Sequence, residues 1–197
     1  MSVKYSLKYF LLIAIPSVVG ITIFAKELLK IFSTTEIAIN SYFVTPLVGT
    51  SIIFFGIYSI FAQIFAIKKN TKIVGIIWFL GAALNLGLNF VLIPIWGILG
   101  AAITTLLAYS FTLITGWIFA YKLFPFPIDW LSIIKSLFAA GIMALAIVFI
   151  HTSKTSILIL AIIFGGVVYL SVLLISKSFD SKELLLFRNL LKFKKND

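Results

Sequence analysis

Long uncharged apolar runs, separated by short clusters of charged residues, make up most of this chain. A helix needs about 20 mostly apolar residues to cross the hydrocarbon core of a bilayer. The runs are long enough for six such helices, joined by short polar segments such as the one that contains Lys26, Glu27 and Lys30. We therefore predict membrane spans at approximately residues 5–25, 42–67, 73–93, 98–121, 136–150 and 155–176.

The third and fourth spans lie in one uncharged stretch, residues 73–121, which is too long for a single crossing. Pro94 followed shortly by Gly97 is typical of a turn, so this pair predicts an antiparallel helical hairpin. Pro46 either begins the second helix or kinks it. Pro16 and Pro94 are candidate hinge positions, and a static kink is the alternative interpretation of Pro16.

Composition agrees with the pattern, because 62% of the residues are hydrophobic and only 11% are charged. Soluble domains carry about 25% charged residues, and a chain of this size cannot hide so much apolar surface in its own interior. The predicted fold class is an all-α polytopic membrane protein, a bundle of six transmembrane helices in residues 1–178. Because there is no cysteine, disulfides and thiolate metal sites are excluded.

Basic residues are distributed unequally between the two ends of the predicted spans. If the loops alternate sides, all 16 Lys and Arg except Lys26, Lys30 and Lys154 fall on one side. Lys and Arg concentrate on the cytoplasmic side, so both termini are predicted to be cytoplasmic and Lys8 to snorkel to that interface. Residues 179–197 are predicted to form a cytoplasmic basic amphipathic tail on anionic lipid headgroups, and a frayed tail is the alternative. The net charge of +10 thus indicates membrane orientation, and no nucleic-acid partner is predicted.

Small residues recur at helical spacing in the predicted hairpin. Small side chains let helix backbones approach closely in lipid, and asparagines hydrogen-bond between helices. In the third span, Asn85 and Asn89 share one face with a glycine, because residues four apart lie on the same side of a helix. We predict close helix packing at Gly81, Gly97, Gly100, Thr104, Ala108, Thr112 and Gly116.

Three amide side chains are the candidate substrate contacts. Asn85 and Asn89 either face a water-filled cavity and bind substrate, or hold the helices together by hydrogen bonds within the bundle. Gln63, near the predicted cytoplasmic end of the second span, reaches either a cavity or the lipid headgroups. The residues alone leave these alternatives open.

The sequence contains no recognisable set of catalytic side chains. The six acidic residues all lie outside the predicted spans, and His151 is the single histidine. No paired carboxylates, nucleophile with a base, or metal-ligand cluster can be assembled, so we predict no catalytic residue, no metal and no cofactor. Ion-coupled pumps normally need ionisable groups inside the membrane, which disfavours that class as well.

The stretch from Asn85 to Tyr109 carries a more specific signal. Asn85-x3-Asn89, Leu92-Ile93-Pro94, Gly97, Gly100-Ala101-Ala102, Thr105 and Tyr109 resemble the C-terminal half of polysaccharide biosynthesis exporters. These are lipid-linked oligosaccharide flippases of the multidrug/oligosaccharidyl-lipid/polysaccharide exporter superfamily. The opening segment, residues 8–32, is similar to a later helix of the same proteins.

The resemblance implies alternating access between two helical lobes in the cytoplasmic membrane, with a lipid-linked oligosaccharide passing between them. It implies that this chain is a C-terminal portion. The implied partners are membrane lipids, the lipid-linked oligosaccharide, and either a separate N-terminal lobe or glycan-assembly proteins. Two alternatives stay open: a fragment of a multidrug and toxin extrusion-type antiporter, and a non-transporting membrane scaffold, accessory subunit or truncated gene product.

Overall fold

The computed structural model describes residues 3–33, 38, 41–150 and 154–178; the predicted tail, residues 179–197, lies outside them. The described part is mostly helical and contains no strand. Its α-helices are α1 (Val3–Ile23), α2 (Ala25–Phe32), α3 (Thr45–Ile67), α4 (Thr71–Trp96), α5 (Ile98–Leu123), α6 (Trp130–Ile147) and α7 (Thr155–Ile175). All except α2 are long and apolar enough to cross a membrane. The predicted fold class, a polytopic bundle of six spanning helices, is therefore confirmed.

The polar segment expected as a loop after the first span is in fact the short helix α2. Phe24, which is almost completely buried, separates α1 from α2, and its N–H still donates to the carbonyl of Gly20 at 3.1 Å. Lys26 and Lys30 thus lie on a helix that continues α1 after a local turn. The Leu28 N–H in turn donates to the Phe24 carbonyl, so backbone hydrogen bonding continues from α1 into α2. A segment next to the membrane interior satisfies its backbone polar groups in this way.

Of the two prolines predicted near helix ends, Pro46 begins a helix as one of the alternatives proposed, whereas Pro94 does not end one. Pro46 lies in the first turn of α3, where its missing N–H is not needed. Pro94 was expected in the turn after the third span, yet α4 continues through it to Trp96. Only Gly97 separates α4 from α5; it has a φ of 57°, which glycine adopts readily, and its N–H donates to the Ile93 carbonyl at 2.8 Å.

The fifth span begins six residues before its predicted start, at Trp130, because Asp129 caps the helix. The Asp129 carboxylate accepts a hydrogen bond from the Ser132 backbone N–H at 3.2 Å. Lys135, which had been expected to precede the span, lies within α6 and donates to the Lys177 carbonyl at the end of α7 at 3.1 Å. A single charged side chain is thus accommodated in the first turns of a spanning helix.

The helices pack in a simple spatial order, α4, α5, α3, α1, α6, α7, with the hairpin α4–α5 at one side and α6–α7 at the other. One hydrophobic cluster joins α1, α6 and α7 around residues such as Ile15, Met143 and Leu173. A second joins the start of α1 to α3 and α5 around Leu7, Phe65 and others. Helix α1 therefore connects the two halves of the bundle.

Side-chain contacts establish which helix ends share a side. Lys4 at the start of α1 forms an ion pair with Asp129 before α6, at 3.7 Å. Lys68 after α3 lies over the Phe124 ring that follows α5, at 6.0 Å from the centroid. The loops thus alternate as the charge pattern requires, and the assignment of this end to the cytoplasm remains a prediction.

Charge at this end is concentrated around the same carboxylate. Lys8 is only 4% exposed, so it is enclosed by protein instead of extending along the helix surface as expected. Burial acts to raise the pKa of Asp129, but the hydrogen bonds from Ser132 and the charges of Lys4 and Lys8 outweigh burial and lower it.

Pro16 lies inside α1 and cannot donate a hydrogen bond to the carbonyl of Leu12. The hydroxyl of Tyr169 in α7 donates to that carbonyl instead, at 2.7 Å. Because a phenol has one proton, the Ser136 hydroxyl in α6 must be the donor to the Tyr169 oxygen, also at 2.7 Å. A chain of two hydrogen bonds thus joins three helices at the position where proline interrupts the first.

Candidate functional site

The hairpin of α4 and α5 carries most of the predicted site residues. A Cβ added to Gly100 would lie 2.6 Å from the backbone carbon of Leu92, and one added to Gly81 would lie 2.5 Å from a methyl carbon of Thr112. Glycine at these positions lets the two backbones approach closely. At Gly116 the neighbour is different, since a Cβ there would meet the ring of Tyr58 in α3.

The predicted packing residues are therefore divided between two interfaces. The predicted packing residues of α5 recur every four residues from Gly100 to Gly116, and all of them are buried. This row of residues faces α4 in its first part and α3 at its end. Gly97 is the exception, because it lies in the exposed connection. The buried members are Gly81, Gly100, Thr104, Ala108, Thr112 and Gly116.

A short polar network lies within the same hairpin. The Asn89 amide nitrogen donates to the Asn85 side-chain oxygen at 3.0 Å. The Thr104 hydroxyl lies 2.5 Å from the Asn89 oxygen and 2.8 Å from the Ala101 carbonyl, so it can donate to either acceptor. The Asn89 amide therefore lies between Asn85 of its own helix and Thr104 of the facing helix.

The three candidate substrate contacts are not brought together. Asn85 lines a cavity between α4 and α5, whereas Asn89 is engaged in the network beside it. Gln63 is exposed near the end of α3 and does not line this cavity. Asn85 is therefore the predicted residue whose position suits contact with a ligand.

The cavity has a volume of about 240 Å³ and lies beside the central turns of both helices. Polar and aromatic groups line it together, which sets it apart from the larger, mostly aliphatic grooves of about 440 and 490 Å³ that flank α1. No lining residue is charged. They are Trp78, Gly81, Ala82, Asn85, Thr105, Ala108, Tyr109 and Thr112.

Two aromatic side chains of this cavity are held in place by α3. The Phe55 ring contacts the Trp78 ring, with centroids 5.7 Å apart, and the Tyr109 ring at 5.4 Å. Tyr58 packs edge-on against Trp78 at 5.7 Å. Trp78 was not among the predicted site residues, although its spacing of seven residues from Asn85 places both on one helix face.

Tyr58 has an unusual environment in the interior of the bundle. Its side chain is 1% exposed, and its hydroxyl has no hydrogen-bond partner among the residues that the structure describes. Across those residues there is also no group of three or more His, Asp or Glu side chains that could hold a metal ion. The site is thus built from amide, hydroxyl and aromatic groups.

Comparison with known proteins gives one informative result. No protein-family model matches the chain, and no curated protein matches it. Among solved structures, the chain is similar to the lipid II flippase MurJ in an inward closed conformation, with a TM-score of 0.75 and 22% sequence identity. The similarity covers 96% of this chain and 39% of the flippase chain. This multi-pass membrane protein therefore has the fold of a part, well under half, of a lipid II flippase.

Proposed function

We propose that this chain forms part of a transporter that flips a lipid-linked oligosaccharide across the cytoplasmic membrane. The observation that carries the proposal is the shared fold, which extends over 96% of the chain with a TM-score of 0.75. The chain spans 39% of the flippase it matches, so the complete transport cycle requires further helices. These helices form the other lobe, against which this bundle rocks during alternating access.

The central position of the cavity that contains Asn85 supports a transport role. Substrate sites of transporters lie near the middle of the bilayer, and polar side chains at that depth are costly in lipid unless they serve a function. Residues Trp78 to Asn85 and Thr105 to Thr112 belong to the middle turns of α4 and α5. A headgroup that crosses the membrane would pass this depth.

The outer face of α4 is the natural place for the additional helices. Of its 26 residues, only Ile77 and Gly81 are buried within the bundle. Glycines at positions 75 and 87 have no atom within 4 Å of an added Cβ, so another helix can approach closely there. We propose that the other lobe covers part of this face and that lipid covers the remainder.

A proton- or sodium-coupled antiporter fits less well, because no Asp or Glu lies within the six spans of this chain.

A transfer experiment distinguishes the proposed transporter from an accessory subunit without transport activity. The full chain, purified with the proteins that accompany it, is reconstituted in liposomes that contain a fluorescent lipid-linked oligosaccharide. We expect the rate of transfer between leaflets to depend on both the chain and its accompanying lobe.

Single cysteines report on the same arrangement, since the natural chain has none. A cysteine at Phe79, which is exposed on α4, should crosslink to the accompanying lobe, and one at Phe164 on the exposed side of α7 should not. If removing the chain leaves transfer unchanged while it still binds glycan-assembly enzymes, the chain is an accessory subunit and the proposal is wrong.

A further inference from the structure

The cavity between α4 and α5 combines three kinds of group that together suit one class of ligand. Trp78 and Tyr109 provide flat aromatic surfaces, with Trp78 38% exposed. Asn85 provides a carboxamide and Thr105 a hydroxyl. We infer that this cavity binds a single uncharged sugar ring, with Trp78 and Tyr109 as the stacking surfaces and Asn85 as the polar contact. The inference rests on the proposed function and assigns part of the transported headgroup to this site.

The hydrogen-bonding state of Asn85 leaves it able to recognise hydroxyl groups. Its side-chain oxygen accepts from Asn89, which fixes the orientation of the amide. The Asn85 amide nitrogen, which carries two donors, binds no group in the described part of the chain. A sugar hydroxyl oxygen can accept from this nitrogen, and the hydroxyl proton can be donated to a neighbouring acceptor.

The aromatic rings match the remaining surface of a sugar. A pyranose ring has an apolar C–H face as well as polar edges, and aromatic side chains provide large apolar surfaces with little flexibility. Because Phe55 packs against both Trp78 and Tyr109, their orientations are set before a ligand enters. Less conformational entropy is therefore lost on binding.

Size and charge restrict the ligand further. The volume of about 240 Å³ lies below the roughly 300–1,000 Å³ typical of sites that enclose drug-sized molecules. One ring fits this space, and a longer oligosaccharide does not. A diphosphate is unsuited to the cavity, because none of its lining residues carries a charge and an unpaired charge is strongly disfavoured in an apolar environment.

The test uses the full chain in lipid nanodiscs, with fluorine-labelled tryptophan as an NMR reporter. The probes are methyl glucoside, methyl galactoside and methyl N-acetylglucosaminide, with inorganic pyrophosphate as a charged comparison. Trp78→Phe identifies the resonance of Trp78, and Trp117, 43% exposed on α5 but outside the cavity, is the internal reference. We expect at least one sugar to shift the Trp78 resonance saturably at millimolar concentration and to leave Trp117 unchanged.

Matched variants assign the contacts. Asn85→Leu should weaken sugar binding about five-fold or more, which corresponds to the loss of one neutral hydrogen bond. Asn89→Leu leaves the Asn85 amide in the cavity but removes the hydrogen bond that orients it, so it should weaken binding less than Asn85→Leu does. Tyr109→Ala should weaken binding because it removes a stacking ring, whereas Tyr121→Ala, at an exposed position of α5 outside the cavity, should not.

Several outcomes would overturn the inference. These are the lack of a saturable shift with any of the sugars, an equal shift at Trp78 and Trp117, and an equal response to pyrophosphate. The outcome is separable from that of the proposed function. Sugar binding without lipid transfer would contradict the transport proposal alone, and normal transfer by Asn85→Leu and Trp78→Ala variants would contradict the sugar site alone.

Discussion

Replacing Tyr169 with phenylalanine removes the hydroxyl that joins α1, α6 and α7. In the native protein this hydroxyl donates to the Leu12 carbonyl and accepts from Ser136, each at 2.7 Å. Tyr169 is 4% exposed and Ser136 is fully buried, so water cannot readily replace the lost partner. Because Pro16 lacks an N–H, helix α1 has no backbone donor for the Leu12 carbonyl either.

The expected destabilisation follows from these two hydrogen bonds. A hydrogen bond between helices in a membrane protein contributes about 0.6 kcal/mol on average and at most about 1.7 kcal/mol. A buried carbonyl left without a donor costs about 1–3 kcal/mol. We therefore expect Tyr169→Phe to lower the free energy of unfolding by about 1–3 kcal/mol.

Pro16→Ala provides the decisive comparison. Alanine restores a backbone N–H that can donate to the Leu12 carbonyl, so the loss of the tyrosine hydroxyl should matter less. In a double-mutant cycle, Tyr169→Phe should cost about 1 kcal/mol less in the Pro16→Ala background than in the native chain. The two residues would then be coupled through a carbonyl that belongs to neither.

Reversible unfolding in mixed micelles, followed by tryptophan fluorescence, measures these differences. Tyr58→Phe is the matched control, since Tyr58 is equally buried but its hydroxyl has no partner in the described structure. Its removal should leave stability unchanged or raise it. The reasoning fails if Tyr169→Phe and Tyr58→Phe change stability equally, or if the effects of Tyr169→Phe and Pro16→Ala are simply additive.

Further predictions concern packing, pH dependence and orientation. Gly100→Ala should destabilise the hairpin by about 1–3 kcal/mol or more, because the methyl group meets rigid backbone of α4, whereas Gly87→Ala, with open space around it, should be neutral or stabilising in the same unfolding assay. The lowered pKa of Asp129 means that its carboxylate stabilises the fold above the ordinary value of 3.8 and that this contribution is lost as pH falls below 3.8 through the lowered pKa. Asp129→Asn should flatten the dependence of stability on pH in that acidic range, and an unaltered profile would contradict the assigned interactions. A membrane-impermeant thiol reagent added outside intact cells should label a cysteine at Lys30 and not one at Lys72; the reverse pattern would invert the proposed orientation.

The number and approximate positions of the spanning helices could be predicted from the sequence because apolar length alone decides whether a segment can cross a bilayer. The alternation of loops could be predicted in the same way from the placement of Lys and Arg. Exact ends could not be predicted, as Pro94 shows. Whether a proline near a helix end terminates the helix depends on which neighbouring N–H groups still find carbonyls, and here Gly97 provides the final one.

The candidate site, like the helices, was predicted from the sequence only in part. The spacing of Gly81, Asn85 and Asn89 predicted a shared helix face, and these residues do lie along the α4–α5 hairpin. The different environments of the two asparagines could not be read from their spacing, because Thr104 approaches Asn89 only through the pairing of two helices. Trp78 joins the cavity for a similar reason, since Phe55 of a third helix sets the position of its ring.

For this protein, the sequence by itself determined that the chain is a six-span membrane bundle with alternating loops, because hydropathy and charge act on each segment independently. Only the tertiary structure decided how proline is tolerated in α1 and which polar groups remain available to a ligand. Those properties depend on contacts such as Tyr169 with Leu12, which are 157 residues apart in the chain. In lipid, backbone polar groups must be satisfied within the protein, and the partner of a carbonyl freed by proline is fixed only when the helices pack.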